Sequence, residues 1–113
     1  MWIMSRHGFY SIVDKGAGEI HIRARERQDL VNLLERVPLE GVEIVETPRG
    51  DYAARIITDG TVLLRILTFL GESLDYDNFK NCIALTPDQK RKPYHEVWGV
   101  MVSALGAYGS TPE

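Results

Sequence analysis

Cysteine is almost missing from this sequence: Cys82 is the one thiol in 113 residues. A single cysteine closes no intramolecular disulfide, and no Cys/His spacing of a zinc site is present. Beside Ile83 on a predicted helix, with no histidine or helix N-terminus nearby to favour its thiolate, Cys82 reads as a small hydrophobe. Long apolar runs are missing too. No stretch approaches the ~20 residues needed to cross a bilayer. The start, Met1 to His7, has no extended apolar core of the kind a secretory leader carries, so a cytoplasmic location is expected. There is no excess of positive charge, because 13 Lys and Arg face 16 Asp and Glu for a net −3 and a pI near 5.6. That balance argues against a life on duplex nucleic acid while leaving room for a local basic patch. Glycine-rich phosphate loops, a nucleophile elbow, a triad order, an EF-hand loop, internal repeats and low-complexity segments are likewise absent, and no cofactor is implied.

What is there is an ordinary globular composition, 44% hydrophobic and 26% charged. The length suffices for one core without metal or disulfide staples, so a single domain is expected over residues 1–106, with 107–113 a frayed tail.

Residues 2–7 and 9–15 are rich in aromatic and β-branched side chains. They read as two extended segments about Gly8, either a hairpin or one bent strand. Lys15-Gly-Ala-Gly18 is a turn. Residues 19–25 alternate, with Ile20, Ile22 and Ala24 on one side and Glu19, His21, Arg23 and Arg25 on the other. At Glu26 the period changes. Leu30, Leu33, Leu34 and Val37 form the stripe of an amphipathic helix stopped by Pro38 and Gly41. Residues 42–47 and 51–58 are again strand-like, joined by Pro48-Arg49-Gly50. Asp59-Gly-Thr61 opens a second helix over 62–70, apolar nearly all round and therefore expected to be covered on most sides by this chain or by a second copy.

Asp75 is then read as the cap of a short helix carrying Tyr76, Phe79 and Ile83 on one face. Thr86-Pro-Asp-Gln89 matches a capping box, and Pro93 is expected to interrupt the turn that follows, so that a fresh helix runs over 93–105 with a stripe of Tyr94, Val97, Trp98, Met101 and Leu105. Gly106 ends it. Hairpin-linked strands followed by helices predict an α+β fold: a mostly antiparallel sheet backed by helices, with a ferredoxin-like ββαββα core and extra C-terminal helices.

Gly8-Phe-Tyr-Ser11, Arg23-Ala-Arg25, Asp51-Tyr52, Asp75-Tyr-Asp-Asn-Phe-Lys80 and Tyr94-His-Glu-Val-Trp98 together resemble a family of short bacterial proteins of unknown function. The resemblance covers nearly the whole chain. It implies a free-standing bacterial protein and assigns no activity, cofactor or site residue.

Two constellations could carry chemistry. His21, Arg23 and Arg25 share one strand face at about 6.5–7 Å spacing, and Arg55 on a later strand could join them. Guanidinium forks on a sheet suit phosphate or carboxylate. With Tyr10, Trp2 or Tyr52 on the same face the surface would suit single-stranded nucleic acid. The competing reading is a solvated face tied to Glu19, Glu43 and Asp59. The second constellation is Asp75, Asp77, Asn78 and Lys80 with His95 and Glu96, which hold acid and base types and could hold a hard cation; capping and salt bridges to Lys90, Arg91 or Lys92 account for them equally. Neither fills three positioned catalytic roles. The expected protein is a non-enzymatic, ligand- or partner-binding module with an anion-binding sheet face, associating as a homodimer through its apolar helix. Its ligand would be an anionic small molecule or an acidic partner protein. The alternative is an RNA-binding or RNA-processing protein, including a nuclease using His95 with Asp75 or Asp77.

Overall fold

A computed structural model describes residues 1–84 and 88–106. The chain falls into two compact units that divide after Asp75.

The first unit contains β1 (Trp2–Ser5), β2 (Gly8–Gly16), β3 (Glu19–Ala24), α1 (Arg27–Arg36), β4 (Ile44–Glu46), β5 (Ala54–Thr58) and α2 (Gly60–Glu72). Its strands form one antiparallel sheet in the order β1-β2-β3-β5-β4. The α+β class is therefore what the structure shows. The meander that precedes α1 has three strands where the expected ferredoxin-like ββαββα core has two.

Gly8 joins a true hairpin, since Ser5 pairs with Gly8 around Arg6 and His7. The Ser5 hydroxyl braces the loop, donating to the Gly8 carbonyl at 3.0 Å and accepting from the His7 amide at 3.2 Å. The second hairpin turns through Gly16, Ala17 and Gly18 with φ of 95°, 54° and 80°. Two of those three positions are residues without a Cβ to clash there.

Alternation decides which face is buried. Tyr10, Ile12, Ile22, Ala24, Ala54 and Ile56 point to one side of the sheet, where Leu30, Leu33 and Val37 of the α1 segment and Ile66 of α2 close over them. Burying each of the larger aliphatic side chains stabilises the unit by roughly 1.5–3 kcal/mol. The α1 stripe read from the sequence is the stripe that packs. Asp59 caps α2 by accepting from the Val62 amide at 3.0 Å. Val62, Leu63, Phe69 and Leu70 then lie against the core, and Leu64 stays 66% exposed.

The second unit holds α3 (Phe79–Ile83) and α4 (Asp88–Leu105). Asn78, not Asp75, caps α3, its side-chain oxygen accepting from the Asn81 amide at 3.0 Å. The capping box at 86–89 begins outside the described residues. Pro93 does not split the helix, because α4 is continuous from Asp88 and Pro93 lies early in it. Pro93 is the sixth residue of α4, past the four amides that have no intrahelical partner, so the helix carries it at the cost of one backbone hydrogen bond. Tyr94 is buried and packs by Phe79 at 6.0 Å, whereas Val97, Met101 and Leu105 of the expected stripe are exposed. Gly106 follows α4 with φ of 74°, its amide donating to the Val102 carbonyl. The expected frayed tail lies outside the described residues. Among those described, no helix is long and apolar enough to cross a membrane.

Candidate anion-binding face of the sheet

Because Ile22, Ala24, Ala54 and Ile56 face the helices, their strand neighbours face away from them. Cross-strand register then aligns Trp2, Ser11, Arg23, Arg55 and Val45 in one row over five strands, with Val13, His21 and Ile57 in the next. Arg23 and Arg55 are direct partners, an arrangement of like charges that destabilises a sheet unless something neutralises it.

No carboxylate does so. Among the described residues, none lies within ion-pair distance of Arg23, Arg25 or Arg55. Each guanidinium has a neutral partner instead. Arg23 donates to the Ser11 hydroxyl at 2.7 Å, Arg25 to the Asp51 carbonyl at 2.9 Å and Arg55 to His21 Nδ1 at 3.0 Å. The Nε atoms of Arg23 and Arg55 are buried without a hydrogen-bond partner. The Tyr52 ring, 7% exposed, takes both neighbouring cations, with Arg23 Cζ at 4.5 Å and Arg25 Cζ at 4.7 Å from its centroid. Such cation–π contacts contribute about 0.5–2 kcal/mol each and leave positive charge uncancelled.

His21 extends the set. A guanidinium can only donate, so Nδ1 accepts and Nε2 carries the proton that goes to Glu19 Oε2 at 2.7 Å. Glu19 thus engages His21. The ties to Glu43 and Asp59 that a solvated face would have are not formed, and the Asp59 side chain is spent on capping α2. The four residues singled out in sequence, His21, Arg23, Arg25 and Arg55, form one connected face. Sequence reasoning missed Ser11 and left Tyr52 as one of three possible aromatics. Tyr10 points into the core.

The second constellation is divided between the two units. Asp75 belongs to the first unit, where it pairs with Arg6, which also donates to the Ser73 carbonyl at 2.5 Å. Asp77, Asn78, Lys80 and His95 belong to the second. There Lys80 Nζ sits 4.3 Å from the Trp98 ring centroid, and the His95 ring stacks on the same indole at 5.6 Å. Among the described residues no three His, Cys, Asp or Glu side chains are grouped to hold a metal ion.

His7, beside Arg6, has its pKa lowered from 6.5, first by burial, then by the Arg36 and Arg6 charges, with Asp75 opposing. Its Nε2 lies 3.3 Å from the Ser73 hydroxyl, and its ring tilts against Phe69. The unfolded chain therefore takes up this proton at higher pH than the folded one. The stability that neutral His7 permits is fully present above pH 6.5 and falls as the pH drops toward the depressed value. Urea denaturation at about pH 7.5 and 5.5 is expected to show a smaller loss in His7→Gln than in the parent; equal losses would assign the pH dependence elsewhere.

Comparison with protein-family models, with curated proteins and with solved structures finds no match to this chain, so the reading of the face rests on its own geometry.

Proposed function

We propose that the protein is a cytoplasmic, non-enzymatic binding module that takes an anionic ligand on the open face of its sheet. The observation that supports this is the set of three guanidiniums, on Arg23, Arg25 and Arg55, with no carboxylate within ion-pair distance among the described residues. Charged donors held in a partly desolvated surface gain strongly from an arriving anion, because charge-assisted hydrogen bonds are about twice as strong as neutral ones. Ser11 and Tyr52 hold two of the forks in place, which lowers the ordering cost of binding. Self-association is part of the same reading, through the exposed Leu64 and the groove it shares with Pro38, Thr61, Arg65 and Thr68.

Inorganic triphosphate is the probe of choice. Its titration is expected to shift the side-chain NMR signals of Arg23, Arg25 and Arg55, with affinity falling as salt rises. Arg23→Ala with Arg55→Ala should weaken binding at least tenfold, two charge-assisted contacts being removed. Saturation without movement of those signals would place the anion elsewhere and end this reading.

A further inference from the structure

Resting on that reading, we infer that the ligand of the sheet face is single-stranded nucleic acid, with bases stacked on Trp2 and phosphates held by Arg23, Arg25 and Arg55. Trp2 lies in the same cross-strand row as Arg23 and Arg55, yet its side chain is 72% exposed. An indole is costly to leave in water and useful as a flat surface to bind. Here it is steadied from the side by Phe9, whose ring meets it edge-on at 6.0 Å and 65°. The protein thus presents an aromatic platform at one end of a row that carries uncancelled positive charge on its third and fourth strands.

Geometry selects the ligand class. With strands about 4.8 Å apart, Trp2 and Arg23, two strands removed, stand roughly 10 Å from one another, and Arg55 lies a strand further. A free phosphate or carboxylate reaches the arginines and has no ring for the indole. Duplex nucleic acid has phosphates and keeps its base faces inside the stack. A single strand offers both, with unstacked bases and a charge at every residue. A mononucleotide offers one ring and one charged group close together, which suits the longer row less well. The net charge of −3 means that attraction is local, so few phosphates are engaged. Three arginines correspond to a slope of log affinity against log salt near −2, from about −0.7 per phosphate on a single strand.

The test compares binding of a fluorescent ten-residue oligouridylate, the matching duplex, uridine monophosphate and inorganic triphosphate to the whole chain. The single strand is expected to bind tightest, with the stated salt slope. Trp2→Ala should lower its affinity by about 5- to 150-fold, the range for losing one stacked base, and leave triphosphate binding unchanged. Trp2→Phe should restore much of the loss, and an unaltered melting temperature in both variants shows that the fold persists. Triphosphate binding with no gain for the oligonucleotide, or oligonucleotide binding indifferent to Trp2→Ala, overturns this inference and leaves the anion-binding module standing. Equal affinity for duplex or mononucleotide overturns it too. No binding of any probe overturns both.

Discussion

Gly8→Ala is expected to destabilise the first unit by about 1–3 kcal/mol, the cost of inserting a methyl group into a packed site, and by more if a hydrogen bond is broken as well. The hairpin between β1 and β2 passes directly over the buried Asp29 of α1. A Cβ at residue 8 would stand 2.5 Å from Asp29 Cγ and 2.6 Å from its Cβ, distances that real atoms do not keep. Asp29 has little freedom to yield. Its carboxylate accepts from the Phe9 amide at 3.1 Å, and its carbonyl accepts from the Tyr10 hydroxyl at 2.8 Å. Moving the side chain would take that acceptor from the half-buried Phe9 amide. Urea denaturation should show a lower midpoint at unchanged slope. The interaction is diagnosed by the double variant: with Asp29→Gly already present, Gly8→Ala should cost much less, because the side-chain atoms it strikes, Cβ included, are gone. Additive costs, or a midpoint that does not move, would mean that the close approach of hairpin and helix is not what selects glycine here.

That contact was beyond the reach of sequence reasoning, and the reason is general to this chain. Periodicity reports which side of an element is apolar, so the alternation of residues 19–25 and the stripe Leu30, Leu33, Leu34, Val37 were legible, as was the start of α2 at Asp59. Register is not written in periodicity. Nothing in the chain alone says that Ser11 pairs with Arg23, or that Tyr52, outside any strand, slides beneath two guanidiniums. The bend at Gly8 was visible as a choice between hairpin and bulge, and tertiary pairing made the choice.

Local capping competes on small energies, which explains Asn78 in the place expected of Asp75. Both side chains suit an N-cap, and Asp75 has instead the Arg6 guanidinium as a partner. Pro93 misled for a related reason. A proline in a helix interior forfeits one backbone hydrogen bond and crowds the preceding turn, yet a helix can run through it, and the sequence does not say whether it does. The arginines that the alternation puts on one side, Arg23 and Arg25, lie with Arg55 on one face of the sheet. What could not be foreseen was that the nearby acids would be engaged elsewhere, leaving that charge uncancelled.

Two alanine substitutions one half-turn apart on α2 should separate the core from any second copy. Ile66→Ala is expected to cost about 2–5 kcal/mol, the usual range for truncating a large buried aliphatic side chain. Ile66 is 1% exposed and belongs to the cluster with Ile22, Leu30, Leu33 and Ile56, all of them fully buried, so the neighbours have little room to collapse into the space. Leu64, two residues earlier and so on the opposite side of the same helix, is 66% exposed. In an isolated chain Leu64→Ala should change stability by no more than about 0.5 kcal/mol, as surface substitutions do. A dimer built on Leu64 changes the expectation in a specific way, because association adds to apparent stability in proportion to the logarithm of protein concentration. The parent would then melt higher as concentration rises, and Leu64→Ala would abolish the dependence while Ile66→Ala would keep it. Light scattering on the same samples reports the mass directly. A concentration-independent melting temperature with a monomer mass removes the dimer. An equal cost for the two substitutions at low concentration would mean that α2 is turned differently on the sheet, with Leu64 inside, and the face assigned to its N-cap and core residues would have to be redrawn.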